Sequence, residues 1–340
     1  MTCQHIENIL KNLKEKDYDA YLLNQFTNIA YISNYFPTSF AFCIIKDDPI
    51  IFTSKMDMEI AKNNSSIDII EFESFSKLNE ILKEENISKI AVEPSLPINL
   101  YEKFNNDFDL SIETFINNER MIKSKDEINK ITKATKIAQN SFKELNILLN
   151  KSKTESELAY ELGRIMRNNG AESESFDTII ATGSNSSLPH STPENKSLGE
   201  PILIDWGAKY MGYCSDNTRT IVYTEKEHEI FDIVLESHNK AIKSIKPGVK
   251  CLDIDKIARD IISEYGYEKN FIHSTGHSLG LDIHEAPNFS IKDDTILEKN
   301  MVLTVEPGIY LEGNFGVRIE DTIHVQNKGK IIGDLEHIIN

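Results

Sequence analysis

The stretch Leu203–Thr220, LIDWGAKYMGYCSDNTRT, carries two aspartates, Asp205 and Asp216, each on a short run with strand character and separated by a glycine-containing turn. Three further segments downstream supply groups of the same kind: His277 in HSTGHSLGLDIHE, Glu306 in LTVEPGIY and Glu320 in VRIEDTI. Four carboxylates and one imidazole bring together too much negative charge to be gathered without cations. Two divalent ions would balance them, and two ions about 3.5–4 Å apart form a hydrolytic site. The pattern points to a metal-dependent hydrolase before any fold is considered.

The ligand candidates fall mostly on predicted strands, where residues alternate between faces. In GVRIEDTIHV, Val317, Ile319, Asp321, Ile323 and Val325 share one face, and Arg318, Glu320, Thr322 and His324 share the other. Arg318 and Glu320 therefore project together, an arginine beside a ligand carboxylate. Val302, Thr304 and Glu306 share a face, as do Cys214, Asp216, Thr218 and Thr220. Strands are rigid platforms for a metal site, which tolerates little geometric error. The histidine-rich segment holds His273, His277 and His284, with Gly276 and Gly280 letting its backbone turn closely. One of these imidazoles can bind metal while the others donate to a carbonyl or a developing oxyanion. His190, in the loop SSLPHSTP after a predicted strand, is placed to line the same pocket. An oxygen-rich set with one imidazole suits Mn²⁺, Fe²⁺, Co²⁺ or Zn²⁺ better than copper or a thiolate-held zinc. Each signal is common by itself, since an aspartate at a strand end usually caps a turn. The argument rests on all five occurring in one domain.

The whole chain bounds the reading. Its 340 residues suit two domains, with 40% hydrophobic and 27% charged residues supplying ordinary globular cores. A net charge of −17 argues against nucleic acid and anionic membranes as partners. The four cysteines, Cys3, Cys43, Cys214 and Cys251, form no CxxC pair, which suggests a reduced, cytoplasmic protein. The polar N-terminus MTCQHIENILKNLKEKD has no apolar core of a signal peptide, and no run approaches the length of a membrane span.

Residues 1 to about 115 read as α/β: strands at DAYLL, FAFCII, PIIFT, IDIIEF and KIAVE, and helices over 5–16, 54–63 and 76–86. This half shows no cluster that looks like chemistry, and a structural or specificity role is expected. After residues 115–124 the periodicity becomes helical. Ser124 with Glu127, Thr154 with Glu157 and Thr224 with Glu227 form capping boxes. Ile128, Ile131, Thr135, Ala138, Phe142, Leu145 and Leu149 make one stripe. A further helix is expected from Asp253 to Tyr265, closed by Gly266. Strands are expected at FDTIIATG, PILIDWG, SDNTRTIVY, NMVLTVEPG and GVRIEDTIHV.

The order of these motifs resembles the pita-bread metallopeptidases, and within them is most similar to the Xaa-Pro aminopeptidase and prolidase branch. The resemblance covers roughly residues 120–340 through motifs, and the first half only through length and α/β character. It implies an α/β chain built from a creatinase-like N-terminal α/β domain, residues 1–120, and a C-terminal α+β pita-bread catalytic domain, residues 121–340. It implies that Asp205 chelates one metal, that Asp216 and Glu320 bridge both, and that His277 and Glu306 bind the other. The nucleophile would be a water made acidic by the cations, with Glu306 also its general base. His273 and His284 would contact the scissile carbonyl or the proline side, His190 would line the substrate pocket, and Arg318 would orient the ligand carboxylates. Two divalent ions, Mn²⁺ foremost with Co²⁺, Fe²⁺ or Zn²⁺ as substitutes, a proline-containing peptide substrate and a homodimer also follow from the resemblance.

Two positions depart from the pattern. Ser278 follows the ligand histidine where relatives carry glycine or a bulky residue. Asn288 follows HEAP where some dipeptide-cleaving members carry an arginine able to grip a free carboxylate. Its absence favours an Xaa-Pro aminopeptidase that accepts longer peptides over an Xaa-Pro dipeptidase. A metal-free creatinase-type hydrolase and a non-catalytic binding module fit less well, because the ligand set is complete. Removal of N-terminal methionine fits less well with the separate first domain.

Overall fold

A computed structural model describes residues 2–146 and 153–338, with side chains described from Gln4 to Leu145 and from Lys153. They fall into two units, Met1–Arg120 and Met121–Asn340.

In the first unit β-branched and aromatic runs form the inner strands, which are buried on both faces of a sheet, while the edge strands Asp68–Glu71 and Asp109–Ile112 are more exposed. The strands are β1 (Ala20–Leu23), β2 (Ala41–Ile45), β3 (Ile50–Thr53), β4 (Asp68–Glu71), β5 (Lys89–Val92) and β6 (Asp109–Ile112). They pair in the order β4-β3-β2-β1-β5-β6, with β2 antiparallel to both of its neighbours and the other pairs parallel. The five strands read from sequence are the first five of these. The sixth, DLSI, is too short and polar to announce itself. The helices expected over 5–16 and 76–86 are Thr2–Glu15 and Phe75–Glu84, and the one over 54–63 is a 3₁₀ turn, Lys55–Asp57, leading into Met58–Asn64. Helices Phe26–Ser33, Ile98–Asn105 and Phe115–Met121 went unread because two turns give little periodicity.

The second unit begins with the three capping boxes. Ser124 and Glu127 exchange bonds of 2.8 and 3.3 Å ahead of helix Lys125–Asn146. Thr154 and Thr224 do the same for helices Glu155–Asn168 and Glu225–Ser244. Helix Cys251–Glu264 ends before Gly266, whose φ of +84° suits a residue without Cβ. Along Lys125–Asn146 the stripe Ile131, Thr135, Ala138, Phe142 and Leu145 is buried, and Leu149 lies outside the described residues.

The strands of this unit are β7 (Ser173–Glu174), β8 (Ile179–Thr182), β9 (Ile202–Trp206), β10 (Ala208–Tyr210), β11 (Tyr213–Cys214), β12 (Asn217–Ile221), β13 (Gly276–Ser278), β14 (Glu285–Phe289), β15 (Val302–Val305), β16 (Gly308–Leu311), β17 (Phe315–Arg318), β18 (Asp321–Val325) and β19 (Gly329–Ile331). Two sheets carry the site, β12-β9-β8 and β14-β13-β15-β18-β19, and β16-β17 form a hairpin. Trp206 locks β9 to the first helix of the unit. Its ring stacks on Phe142 at 4.5 Å, and its indole N–H donates to the Ala138 carbonyl at 2.9 Å.

One expectation changes. GVRIEDTIHV is two strands and not one: β17 pairs with β16, β18 with β15, and the break falls at Ile319–Glu320. Opposite the break lie Glu306 and Pro307, and proline has no N–H for the ladder. The histidine-rich segment also contains a strand, β13, which its glycines conceal. Gly276 is needed there, because a Cβ would stand 2.1 Å from the Thr304 carbonyl oxygen on β15.

Candidate active site

The five ligand candidates reach one place from four chain segments. Asp205 sits in β9, Asp216 just before β12, His277 in β13, Glu306 just after β15, and Glu320 in the break between β17 and β18. With His190, His273, His284 and Arg318 they line a single cleft of about 450 Å³. His277 Nε2 lies 3.3 Å from Glu306 Oε1 and 3.5 Å from Asp216 Oδ2. Ligand atoms of Asp216, His277 and Glu320 lie within 4.8 Å of one another, and all three residues are buried.

The electrostatics are those of a site built for cations. Burial, then Glu320, Asp205 and Glu306, push the Asp216 carboxyl well above its ordinary value. Burial, then Glu306 and Asp205, do the same to Glu320. Burial raises Glu306 despite His273 and Arg318. Burial also lowers His277, favouring the neutral imidazole that binds metal. Asp205 Oδ1 and Glu320 Oε1 are buried without a hydrogen-bond partner. An orphaned buried carboxylate oxygen is costly, and a divalent ion would satisfy both. The donor set therefore fits two divalent ions.

Further residues hold the carboxylates in place. Arg318 Nη2 donates to Asp205 Oδ2 at 2.7 Å, its Nη1 to the Tyr310 hydroxyl at 2.8 Å, and its Nε to Thr218 Oγ1 at 3.1 Å. Thr218 Oγ1 donates to Glu320 Oε2 at 2.8 Å, and Thr304 Oγ1 to Glu306 Oε1 at 3.2 Å. His273 has both ring nitrogens engaged. Nδ1 donates to the Ser274 carbonyl at 2.8 Å, so in the neutral ring Nε2 accepts from the Tyr310 hydroxyl at 2.9 Å. Burial keeps this imidazole below its ordinary pKa. His284 and His190 are exposed at the cleft, and the His284 ring centroid stands 4.3 Å from that of His277. Tyr310 is the residue that reading the sequence missed. Its signal was its place four residues beyond Glu306, on a hairpin strand paired with that of Arg318.

The cleft wall is apolar at Phe176, Ile179, Pro189, Pro193 and Ile283, a surface suited to a proline ring. Asn288 is exposed at its edge. Among the lining residues Arg318 is the one arginine, there is no lysine, and its guanidinium is already bonded to Asp205 and Tyr310.

A buried carboxylate cluster with one imidazole, set beside an apolar cleft, defines a metal-dependent hydrolase. Residues 129–327 match the model of metallopeptidase family M24, and residues 5–127 match the creatinase/prolidase N-terminal domain. The chain belongs to metallopeptidase family M24 and is a metallo-exopeptidase with a creatinase-type first domain and a pita-bread second domain. It is 38% identical to an Xaa-Pro dipeptidase of Pyrococcus furiosus over 96% of both chains. Among solved structures it is similar to the prolidase of Pyrococcus horikoshii, with a TM-score of 0.94, 37% identity and coverage of 98% of this chain and 99% of that one. It is also similar to an X-Pro aminopeptidase of Thermotoga maritima, with a TM-score of 0.92, 32% identity and coverage of 98% of each. No helix among the described residues is long and apolar enough to cross a membrane.

Proposed function

We propose that this chain is an Xaa-Pro dipeptidase dependent on two divalent ions, Mn²⁺ foremost. The observation that carries the substrate class is full-length similarity to the Pyrococcus dipeptidase, joined to a complete ligand set. The reading drawn from Asn288, an Xaa-Pro aminopeptidase, is less well supported by these relatives. It stands as the second reading because no uncommitted lysine or arginine among the lining residues awaits a dipeptide carboxylate, and because of the likeness to the Thermotoga aminopeptidase.

In this proposal Asp205, Asp216, Glu320, Glu306 and His277 hold the ions. When bound, divalent ions supply Lewis acidity, giving a more acidic water and a polarised carbonyl oxygen. Glu306 takes the water's proton as general base. His284, exposed beside His277, donates to the scissile carbonyl oxygen. His190 and His284 are the imidazoles available to a free carboxylate at the cleft. His273 lines the cleft and anchors Tyr310, since its own nitrogens are committed. Arg318 keeps Asp205 oriented and neutralises part of the cluster's charge.

The test is hydrolysis of Ala-Pro and Ala-Pro-Ala by the Mn²⁺-reconstituted protein, with chelator controls. Chelator-sensitive cleavage of Ala-Pro with the tripeptide spared supports the dipeptidase. Cleavage of the tripeptide alone establishes the aminopeptidase, and failure on both removes proline from the reading.

A further inference from the structure

Arg219 is fully buried on the face of β12 opposite Asp216 and Thr218. An arginine has five N–H donors, and each of these has an acceptor. Nε donates to the Glu336 carbonyl at 2.9 Å. Nη1 donates to the carbonyls of Thr218 at 2.9 Å and Glu320 at 2.6 Å. Nη2 donates to Asp321 Oδ1 at 2.8 Å and to the Leu335 carbonyl at 2.9 Å.

Glu320 lies in the break between β17 and β18, where no regular ladder holds it. Its amide donates to the Thr218 carbonyl at 3.1 Å, and its Oε2 accepts from Thr218 Oγ1 at 2.8 Å. Arg219 holds the remaining main-chain group, the carbonyl. One atom, Oε1, is left without a partner, and a carboxylate oxygen of Glu320 lies within 4.8 Å of ligand atoms of Asp216 and His277. Arg219 therefore completes the fixation of Glu320 and ties it to residues 335–336, far along the chain.

Asp321 extends the clamp. Its Oδ2 accepts from His337 Nε2 at 2.6 Å and lies 3.3 Å from His238 Nε2. The trio His238, Asp321 and His337 is close enough to hold an ion. A separation of 2.6 Å, however, is that of a hydrogen bond, whereas two ligands on one tetrahedral zinc stand roughly 3.3 Å apart. Arg219 already neutralises Asp321, so a cation there would meet a guanidinium instead of a free carboxylate.

We infer that Arg219 is a positioning residue for Glu320, and that the segment Leu335–His337 holds that carboxylate in register from behind the sheet. This rests on the reading of Glu320 as a metal ligand. Lysine at position 219 would keep the charge opposite Asp321. Its three donors radiate from one nitrogen and cannot span β12, Glu320 and the segment together.

The experiment is calorimetric titration of the chelated 340-residue chain with Mn²⁺, for wild type, Arg219→Lys and His337→Gln, alongside melting curves of the metal-free proteins. Arg219→Lys is expected to lower the affinity for at least one ion about 10–100-fold, the usual effect of losing a group that orients a ligand. Activity should return at saturating Mn²⁺. His337→Gln, altered at a half-buried position, should show a smaller loss of the same sign, and it decides the matter if Arg219→Lys does not fold. Affinities within twofold of wild type, in a folded Arg219→Lys or in His337→Gln, overturn the inference, even if the metal-free melting curve has shifted. A third ion in wild type that is lost in His337→Gln also overturns it, by showing that the trio binds metal. Wild type that takes up no Mn²⁺ overturns the metal reading, and this inference with it.

Discussion

Arg318 and Asp205 meet through a 2.7 Å bond from Nη2 to Oδ2, inside a site where both side chains are nearly sealed from solvent. The same guanidinium reaches Tyr310 and Thr218, and Thr218 in turn holds Glu320. One arginine thus orients Asp205 on β9 directly and Glu320, in the break between β17 and β18, through Thr218. Lysine could not reproduce this fork. Arg318→Lys is expected to cost about 10–100-fold in metal affinity or activity. Mn²⁺ titration and steady-state kinetics check this, and an unchanged variant would mean that Asp205 is held by other means.

Glu306→Gln and His284→Ala separate two roles. Loss of a general base typically costs about 10²–10⁴-fold in rate, and loss of one oxyanion donor about 10²–10³-fold in kcat. Both variants are expected to lose kcat by such factors. His284→Ala should leave metal content unchanged, because His284 is not among the proposed ligands. Elemental analysis beside kinetics tells the two roles apart, and full activity in both variants would remove the proposed mechanism.

Stripping the metal should make stability depend on pH in a stated direction. In the metal-free chain burial raises Asp216, Glu306 and Glu320; the Asp205 carboxylate adds to all three, and Glu306 also adds to Asp216 and Glu320. A carboxyl raised on folding contributes stability that is complete below its unfolded pKa and is lost as pH climbs through the folded value. In melting curves taken above the ordinary carboxyl range of about 4, the chelated protein is therefore expected to lose the stability these carboxyls contribute as pH rises. The difference between wild type and Asp216→Asn isolates that part from the imidazoles. The Mn²⁺-loaded protein should show a smaller loss, and Asp216→Asn should reduce the dependence in the chelated form. Equal pH slopes with and without metal would contradict the electrostatic account.

Asn288→Arg tests what the cleft lacks. A guanidinium at this exposed edge position would offer a charge-assisted bond to a dipeptide's carboxylate. The ratio of kcat/KM for Ala-Pro over Ala-Pro-Ala is expected to rise about tenfold, since one such bond contributes roughly 1.5–3 kcal/mol. An unchanged ratio would show that the carboxylate is met elsewhere.

Much of this protein can be read without its tertiary structure, for local reasons. The capping boxes at Ser124, Thr154 and Thr224 are chemistry between residues three apart, so they stand in the sequence as they stand in the fold. The strand runs of the first unit follow from apolar, β-branched composition. Asp205, Asp216, Glu306 and Glu320, with His277, could be named because charge of one sign, concentrated in few segments, demands an explanation. What the tertiary structure alone decided depends on long-range pairing. The break at Ile319–Glu320 lies opposite Glu306 and Pro307, between β15 and β16, where proline offers no N–H to a ladder. The strand character of Gly276–Ser278 comes from its neighbours and not from its own residues. Tyr310, Thr218 and Arg219 act through acceptors on other segments, 37 residues away for the Tyr310–His273 bond and 101 to 117 for those from Arg219 to Glu320, Asp321, Leu335 and Glu336. Periodicity and motifs report what a residue does beside its neighbours in the chain. Which carboxylate oxygen is tied down and which is left open for a cation is settled only when distant strands meet.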